Sequence, residues 1–131
     1  MTPAAETAQA EFLQLVEHTI AERLEANRAP SVDSVIAILG MAKRTYQRRL
    51  KFAGTTHSKI LDGVRKRTAL FLASHHDVPV GRIVSELHFV DASVLGRAFK
   101  KWTGKSVREY RAELRAMDDS VMAALKGGEG Q

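Results

Sequence analysis

The chain has 131 residues, 44% of them hydrophobic, no cysteine and a net charge of +5. That is enough apolar material for one domain with a core, and it argues against disorder, a disulfide framework and a membrane span. The opening MTPAAETAQAEF lacks both the basic start and the apolar run of a secretory signal, so a cytoplasmic location is expected.

Residues 1–5 are expected to fray, and Glu6 to Asn27 reads as an amphipathic helix. Phe12, Val16, Ile20 and Leu24 recur at i+4 steps, which puts them on one helical face. Pro30 is expected to end this segment, because the residue before proline avoids helical angles. Ser31 can cap a short helix over Val32 to Leu39, with Val32, Val35, Ile36 and Leu39 inward. Gly40 and Met41 make a turn. The next helix runs from about Lys43 to Ala53 with Tyr46 and Leu50 inward, and stops at Gly54. Thr55 or Thr56 can cap a longer helix through Ser74, on which Ile60, Leu61, Val64, Thr68 and Leu72 form a stripe. About 18 residues of helix reach roughly 27 Å, enough to separate two flanking units. A further short helix, Val80 to Leu87, follows the loop at His75, His76, Asp77 and Pro79. Asp91 caps a helix with Leu95 and Phe99 inward, stopped by Gly104. Ser106 caps a last helix whose apolar face is extended by Tyr110, Leu114, Met117, Val121 and Leu125. The terminal GGEGQ is expected to be mobile.

Two stretches repeat. Val32, Val35, Ile36 and Leu39 correspond to Val80, Ile83, Val84 and Leu87 at an offset of 48 residues. Beyond the turn the offset becomes 49, matching Tyr46 with Leu95, Arg48 with Arg97 and Leu50 with Phe99. This is a duplicated helix-turn-helix with one residue inserted in the second turn. Charge follows the same layout. Residues 1–40 hold six acids and two bases, residues 41–111 hold sixteen bases and five acids, and residues 112–131 hold two bases and four acids. The local net charges are therefore −4, +11 and −2. A basic block around two capped helices suits a polyphosphate partner, through release of condensed counterions.

The stretch LHFVDAS followed by RAFKKWTGKSVREYR resembles the second helix-turn-helix of AraC/XylS-type transcription regulators. GMAKRTYQRRLKFAGT, at residues 40–55, resembles the first. With the Arg65 to Leu72 segment between them, the resemblance covers roughly Val32 to Arg111. It implies an all-α fold of two homeodomain-like helix-turn-helix subdomains joined by a long linker helix. The expected layout is an N-terminal linker and helix over 1–30, the first motif over 31–55, the linker helix over 56–78, the second motif over 79–104, and a C-terminal helix and tail over 105–131. Four positions depart from the family pattern. Ala42 replaces a capping serine, at a cost of about 1 kcal/mol. His88 replaces a turn glycine, Leu95 an aromatic residue and Val107 a proline.

The function expected is a sequence-specific, double-stranded DNA-binding transcription regulator with two recognition helices in adjacent major grooves. Arg44, Gln47 and Arg48 lie on the outer face of the first recognition helix. Arginine pairs bidentately with guanine and glutamine with adenine, and the resemblance assigns base reading to these same positions. The matching positions in the second motif are Ala92, Ser93, Val94, Gly96 and Arg97, small and largely apolar apart from Arg97. The first motif should therefore carry more specificity and the second more sequence-blind affinity. Lys43, Thr45, Arg49, Lys51, Lys100, Lys101 and Lys105 are candidates for backbone phosphate. Tyr46, Phe89, Leu95, Phe99 and Trp102 share faces with aliphatic residues and are expected in the core, not stacked on bases. The resemblance places Arg65 at the position of the family's linker-helix arginine, where it is expected to tie the two halves together internally; Arg82 and Arg111 are open between solvation and pairing.

The resemblance further implies activation through RNA polymerase, a nucleoid-associated location on binding, and an effector or dimer partner reached through a separate domain. The chain is either the DNA-binding part of a larger regulator or a complete small one. The Ala-rich start with Pro3 reads more like a linker. Enzymatic activity, a metal and a cofactor are not expected. The sequence has no phosphate loop, nucleophile elbow or HExxH motif. Neighbouring His75, His76 and Asp77 diverge in direction and have no matching ligand cluster. The alternative is a protein–protein adaptor that uses the same scaffold without reading DNA sequence, with its acidic N-terminal helix, which carries the Phe12 to Leu24 stripe, as the docking face. Burial of that stripe would remove the docking face.

Overall fold

A computed structural model describes residues 2–129. Among them are seven helices and no strand: α1 (Pro3–Glu25), α2 (Val32–Leu39), α3 (Lys43–Phe52), α4 (His57–Ala73), α5 (Val80–Glu86), α6 (Ala92–Thr103) and α7 (Val107–Glu129). The all-α reading holds. Two compact units emerge. The first holds residues through Thr68 with Glu86–His88, and the second holds Ala69–Ser85 with the residues from Phe89 onward. The boundary falls inside α4.

Both ends of α1 correct the sequence reading. The helix starts at Pro3, not Glu6, because Thr2 Oγ1 accepts from the Ala5 amide at 3.2 Å. Pro3 also sits in the first turn, where its missing N–H costs nothing. At the other end, Asn27 adopts the left-handed conformation with φ +56°. Its amide then donates to Leu24 O at 3.0 Å and that of Arg28 to Arg23 O at 2.8 Å, the paired bonds of a Schellman stop. Asn27, not Pro30, ends the helix. The apolar stripe is where the spacing placed it: Phe12, Val16, Ile20 and Leu24 are all buried.

The next helices begin as their caps predict. Ser31 Oγ accepts from Ser34 N, Thr56 Oγ1 from Lys59 N and Ser106 Oγ from Glu109 N, at 3.2, 3.2 and 3.1 Å. Ala42, at the cap of α3, has suitable extended angles of φ −72° and ψ 143° but supplies no side-chain bond. Replacing Ala42 with serine is expected to stabilise the protein by about 1 kcal/mol, read as a higher urea midpoint at unchanged slope.

The first unit packs around Tyr46 and Leu50 of α3, with Val35 and the α1 stripe. Tyr46 carries a link the sequence reading missed. Its hydroxyl lies 2.8 Å from His57 Nδ1, and His57 Nε2 lies 2.8 Å from Pro30 O. A carbonyl can only accept, so Nε2 carries the proton and Nδ1 accepts from Tyr46. One imidazole thus ties α3 to the start of α4 and the loop after α1. Burial pushes the Tyr46 phenol up to about 12. An unfolded tyrosine ionises near its ordinary value of about 10. The stability held by the neutral phenol is complete below about 10 and is lost as pH rises through the folded value of about 12. Tyr46→Phe is expected to cost about 1 kcal/mol at neutral pH. Urea titrations along the alkaline limb should show the gap between the two proteins narrowing.

In the second unit Ile83, Leu95 and Phe99 are fully buried, and Tyr110 meets Phe99 edge-on with ring centres 5.3 Å apart. Arg111 fastens the start of α7 to the loop after α4. Its Nε donates to Ala73 O at 2.9 Å, and its Nη2 donates to His75 O and Val78 O. Pairing therefore replaces the solvated option for Arg111. The predicted apolar face of α7 continues in sequence but not in burial. Tyr110 and Leu114 are half-buried, whereas Met117, Val121 and Leu125 are each more than half exposed. The expected mobile tail is also shortened. α7 continues through Glu129, since glycine weakens a helix without the steric stop of proline. Gly130 and Gln131 lie outside the described residues.

Candidate nucleic-acid interface

The duplicated turn sets both recognition helices. Gly40 takes φ +67° in the first motif, and His88 takes φ +55° at the equivalent place in the second. Each left-handed residue lets the next chain segment fold back: Met41 N donates to Ile36 O at 3.1 Å and Phe89 N to Val84 O at 3.0 Å. His88 thus makes the glycine's turn, with a Cβ that disfavours it. Arg65 braces the result. Its Nε donates to Leu87 O at 2.8 Å and its Nη2 to His88 O at 2.9 Å, both within the first unit. Burial pulls the Arg65 pKa down while Asp62 pushes it back up. Its role is structural.

On α3, burial of Tyr46 and Leu50 leaves the opposite face outward. Lys43, Arg44, Thr45, Gln47, Arg48 and Lys51 are all exposed. No hydrogen bond or ion pair engages Arg44, Gln47 or Arg48 among the described residues. Arg49 is also exposed, but its guanidinium lies over the Phe12 ring, 3.9 Å from the centroid. That contact holds it toward α1.

On α6, Asp91 accepts from Val94 N at 3.0 Å and so caps the helix. Gly104 closes it with φ +78°. Ala92, Ser93, Arg97, Lys100 and Lys101 are exposed, while Val94 and Gly96 are half-buried. Lys105 differs from the other phosphate candidates because it is half-buried and ion-paired with Glu113 of α7. Tyr46, Leu95 and Phe99 are buried as predicted; Phe89 and Trp102 are half-buried and lie 6.4 Å apart, ring to ring. All five are less exposed than Phe52, which is 76% accessible.

The spacing therefore brings Arg44, Gln47 and Arg48 together on one helix and Ala92, Ser93 and Arg97 on another. It gives a dense cationic surface on α3 and a sparser one on α6. Two further basic residues, Arg108 and Arg115, escaped the reading, although their i, i+7 spacing places them on one face of α7. His75 is not a free ligand: its Nδ1 lies 2.9 Å from Phe71 O. Among the described residues no group of three or more His, Asp or Glu could hold a metal, and no helix is long and apolar enough to cross a membrane.

Residues 35–113 match the model of a helix-turn-helix domain family. Two relatives from Pseudomonas aeruginosa, an ornithine utilization regulator and the HTH-type transcriptional regulator VqsM, are 39% and 37% identical over 82 residues. Those residues are 63% of this chain but 24% and 25% of the relatives, so the chain spans about a quarter of their length. Among solved structures, the transcriptional regulator CdpR from Pseudomonas aeruginosa superimposes with a TM-score of 0.64 at 31% identity, over 74% of this chain and 31% of its own. A DNA-binding transcriptional dual regulator from Escherichia coli K-12 superimposes with a TM-score of 0.69 over 77% of this chain and 93% of its own. At 17% identity, that second likeness speaks for the fold alone. With a family match over more than half its length and the duplicated turn it contains, the chain belongs to the AraC/XylS family of helix-turn-helix transcription regulators.

Proposed function

We propose that this chain is a sequence-specific duplex-DNA regulator that lays α3 and α6 into adjacent major grooves. The observation that carries the reading is the outer face of α3, where Arg44, Gln47 and Arg48 stand exposed on a helix anchored by buried Tyr46 and Leu50. These are the donor types that read guanine and adenine edges. Ala92, Ser93 and Arg97 read fewer bases, with Arg97 the strong donor of α6. Lys43, Thr45, Lys51, Lys100 and Lys101 meet phosphates. Arg49 and Lys105, each with an internal partner, contribute field more than direct contacts. Family membership supports activation through RNA polymerase, a cytoplasmic and nucleoid location, and control by an effector or dimer partner outside the described fold.

The test is selection from a random duplex library, followed by titration of the enriched sequence against scrambled DNA at two salt concentrations. Two enriched half-sites, bound far more tightly than the scramble, are the expected result. Uniformly salt-sensitive binding without enrichment would defeat sequence reading. For the adaptor alternative, the apolar stripe of α1 offers no docking face, because Phe12, Val16, Ile20 and Leu24 are buried; retention of binding at high salt would favour that alternative.

A further inference from the structure

A second concentration of positive charge lies outside both recognition helices. Arg108, Arg111 and Arg115 follow one another along one side of α7. With His76, Val80 and Val107 they line a crevice of about 280 Å³, entirely within the second unit. No acid is among its lining residues. Arg111 is fixed by the carbonyls of Ala73, His75 and Val78. Arg108 and Arg115 are exposed, and among the described residues neither has a hydrogen bond or ion pair. Glu113 projects from another side of the helix and is held by Lys105.

His76 gives the crevice its specificity for an acceptor. Its Nδ1 is buried and lacks a hydrogen-bond partner, an uncommon and unfavourable state for a ring nitrogen. The imidazole itself lines the crevice, so a ring rotation that frees this nitrogen would let it donate to an anionic oxygen there. Two guanidinium groups beside it supply the forked donors that match tetrahedral oxyanions. We infer that the His76–Arg108–Arg115 crevice is a phosphate-binding site. The same chemistry serves two sources, a phosphodiester of the duplex backbone or the phosphoryl group of a small ligand. Only the first source rests on the DNA reading above.

The experiment uses the full chain and its Arg108→Gln/Arg115→Gln double variant, whose altered side chains are exposed. Inorganic pyrophosphate is titrated while backbone amide NMR shifts are followed, and duplex affinity is measured against salt. In the parent protein, pyrophosphate is expected to move the amides of His76, Val80 and Arg108 saturably; the double variant should lose this response. If backbone phosphate is the source, the double variant should also flatten the logarithmic salt dependence of duplex binding by about 1. Amide shifts with an unchanged salt dependence would assign the crevice to a free phosphorylated ligand. A flattened salt dependence without amide shifts would assign it to DNA. Absence of both responses would overturn the site. The pyrophosphate response needs no duplex, so failure of the DNA reading and failure of the crevice are separable.

Discussion

Replacing Arg111 with lysine is expected to destabilise the protein by about 3 kcal/mol, the worth of two part-buried charge-assisted hydrogen bonds at about 1.5 kcal/mol each. The charge survives this change but the geometry does not. Arg111 holds three carbonyls, those of Ala73, His75 and Val78, from one planar group. Lysine presents a single nitrogen on a flexible stem and cannot span them. Carbonyls left buried without a donor then add their desolvation penalty. The loss is measurable by urea unfolding followed through Trp102, the sole tryptophan, which lies in the same unit. Retention of stability to within about 1 kcal/mol, less than one charge-assisted bond is worth, would show that the clamp is dispensable.

Arg48→Ala and Arg97→Ala are expected to affect DNA recognition unequally. Loss of Arg48 should reduce discrimination between the selected site and scrambled DNA by about 1–3 kcal/mol, the range for one bidentate base contact. Loss of Arg97 should weaken both more evenly. The basis is the company each residue keeps. Arg48 stands with Arg44 and Gln47, all exposed on α3, whereas Arg97 follows Ala92 and Ser93 on α6. Competition titrations at fixed salt distinguish the outcomes, and equal losses of discrimination would remove the proposed division of labour.

What the sequence made legible had local causes. Phe12 to Leu24, Tyr46 with Leu50, and Leu95 with Phe99 announced their burial through i+4 spacing. Ser31, Asp91 and Ser106 announced helix starts because a short polar side chain can reach orphan amides. The duplicated motif was visible because the turn preserves register on either side of one inserted residue. Other features depended on long-range geometry. Nothing near Arg111 indicates that its guanidinium reaches carbonyls 33 to 38 positions earlier. His57 bridges Tyr46 and Pro30 across elements that only tertiary packing brings together. Asn27 was misread for a different reason: a following proline is a conspicuous stop, but a left-handed asparagine ends the helix earlier. On the site itself, the exposed face of α3 could be read directly. The internal partners of Arg49 and Lys105 could not, because Phe12 is distant in sequence and the Lys105–Glu113 pair crosses a helix boundary.

The two halves of α7 run on different clocks. Its first turns carry Tyr110 and Arg111, each held by the second unit, and their amides are expected to exchange with solvent only as fast as that unit opens. Farther along, Met117, Val121, Met122 and Leu125 are all more than half exposed, so hydrogen bonds along the helix supply most of the restraint there. A helix without packing is marginal and unwinds from its end. Amide protection is therefore expected to decay along α7 from the lifetime of a folded domain toward that of a lone peptide, although its backbone trace is a single unbroken helix.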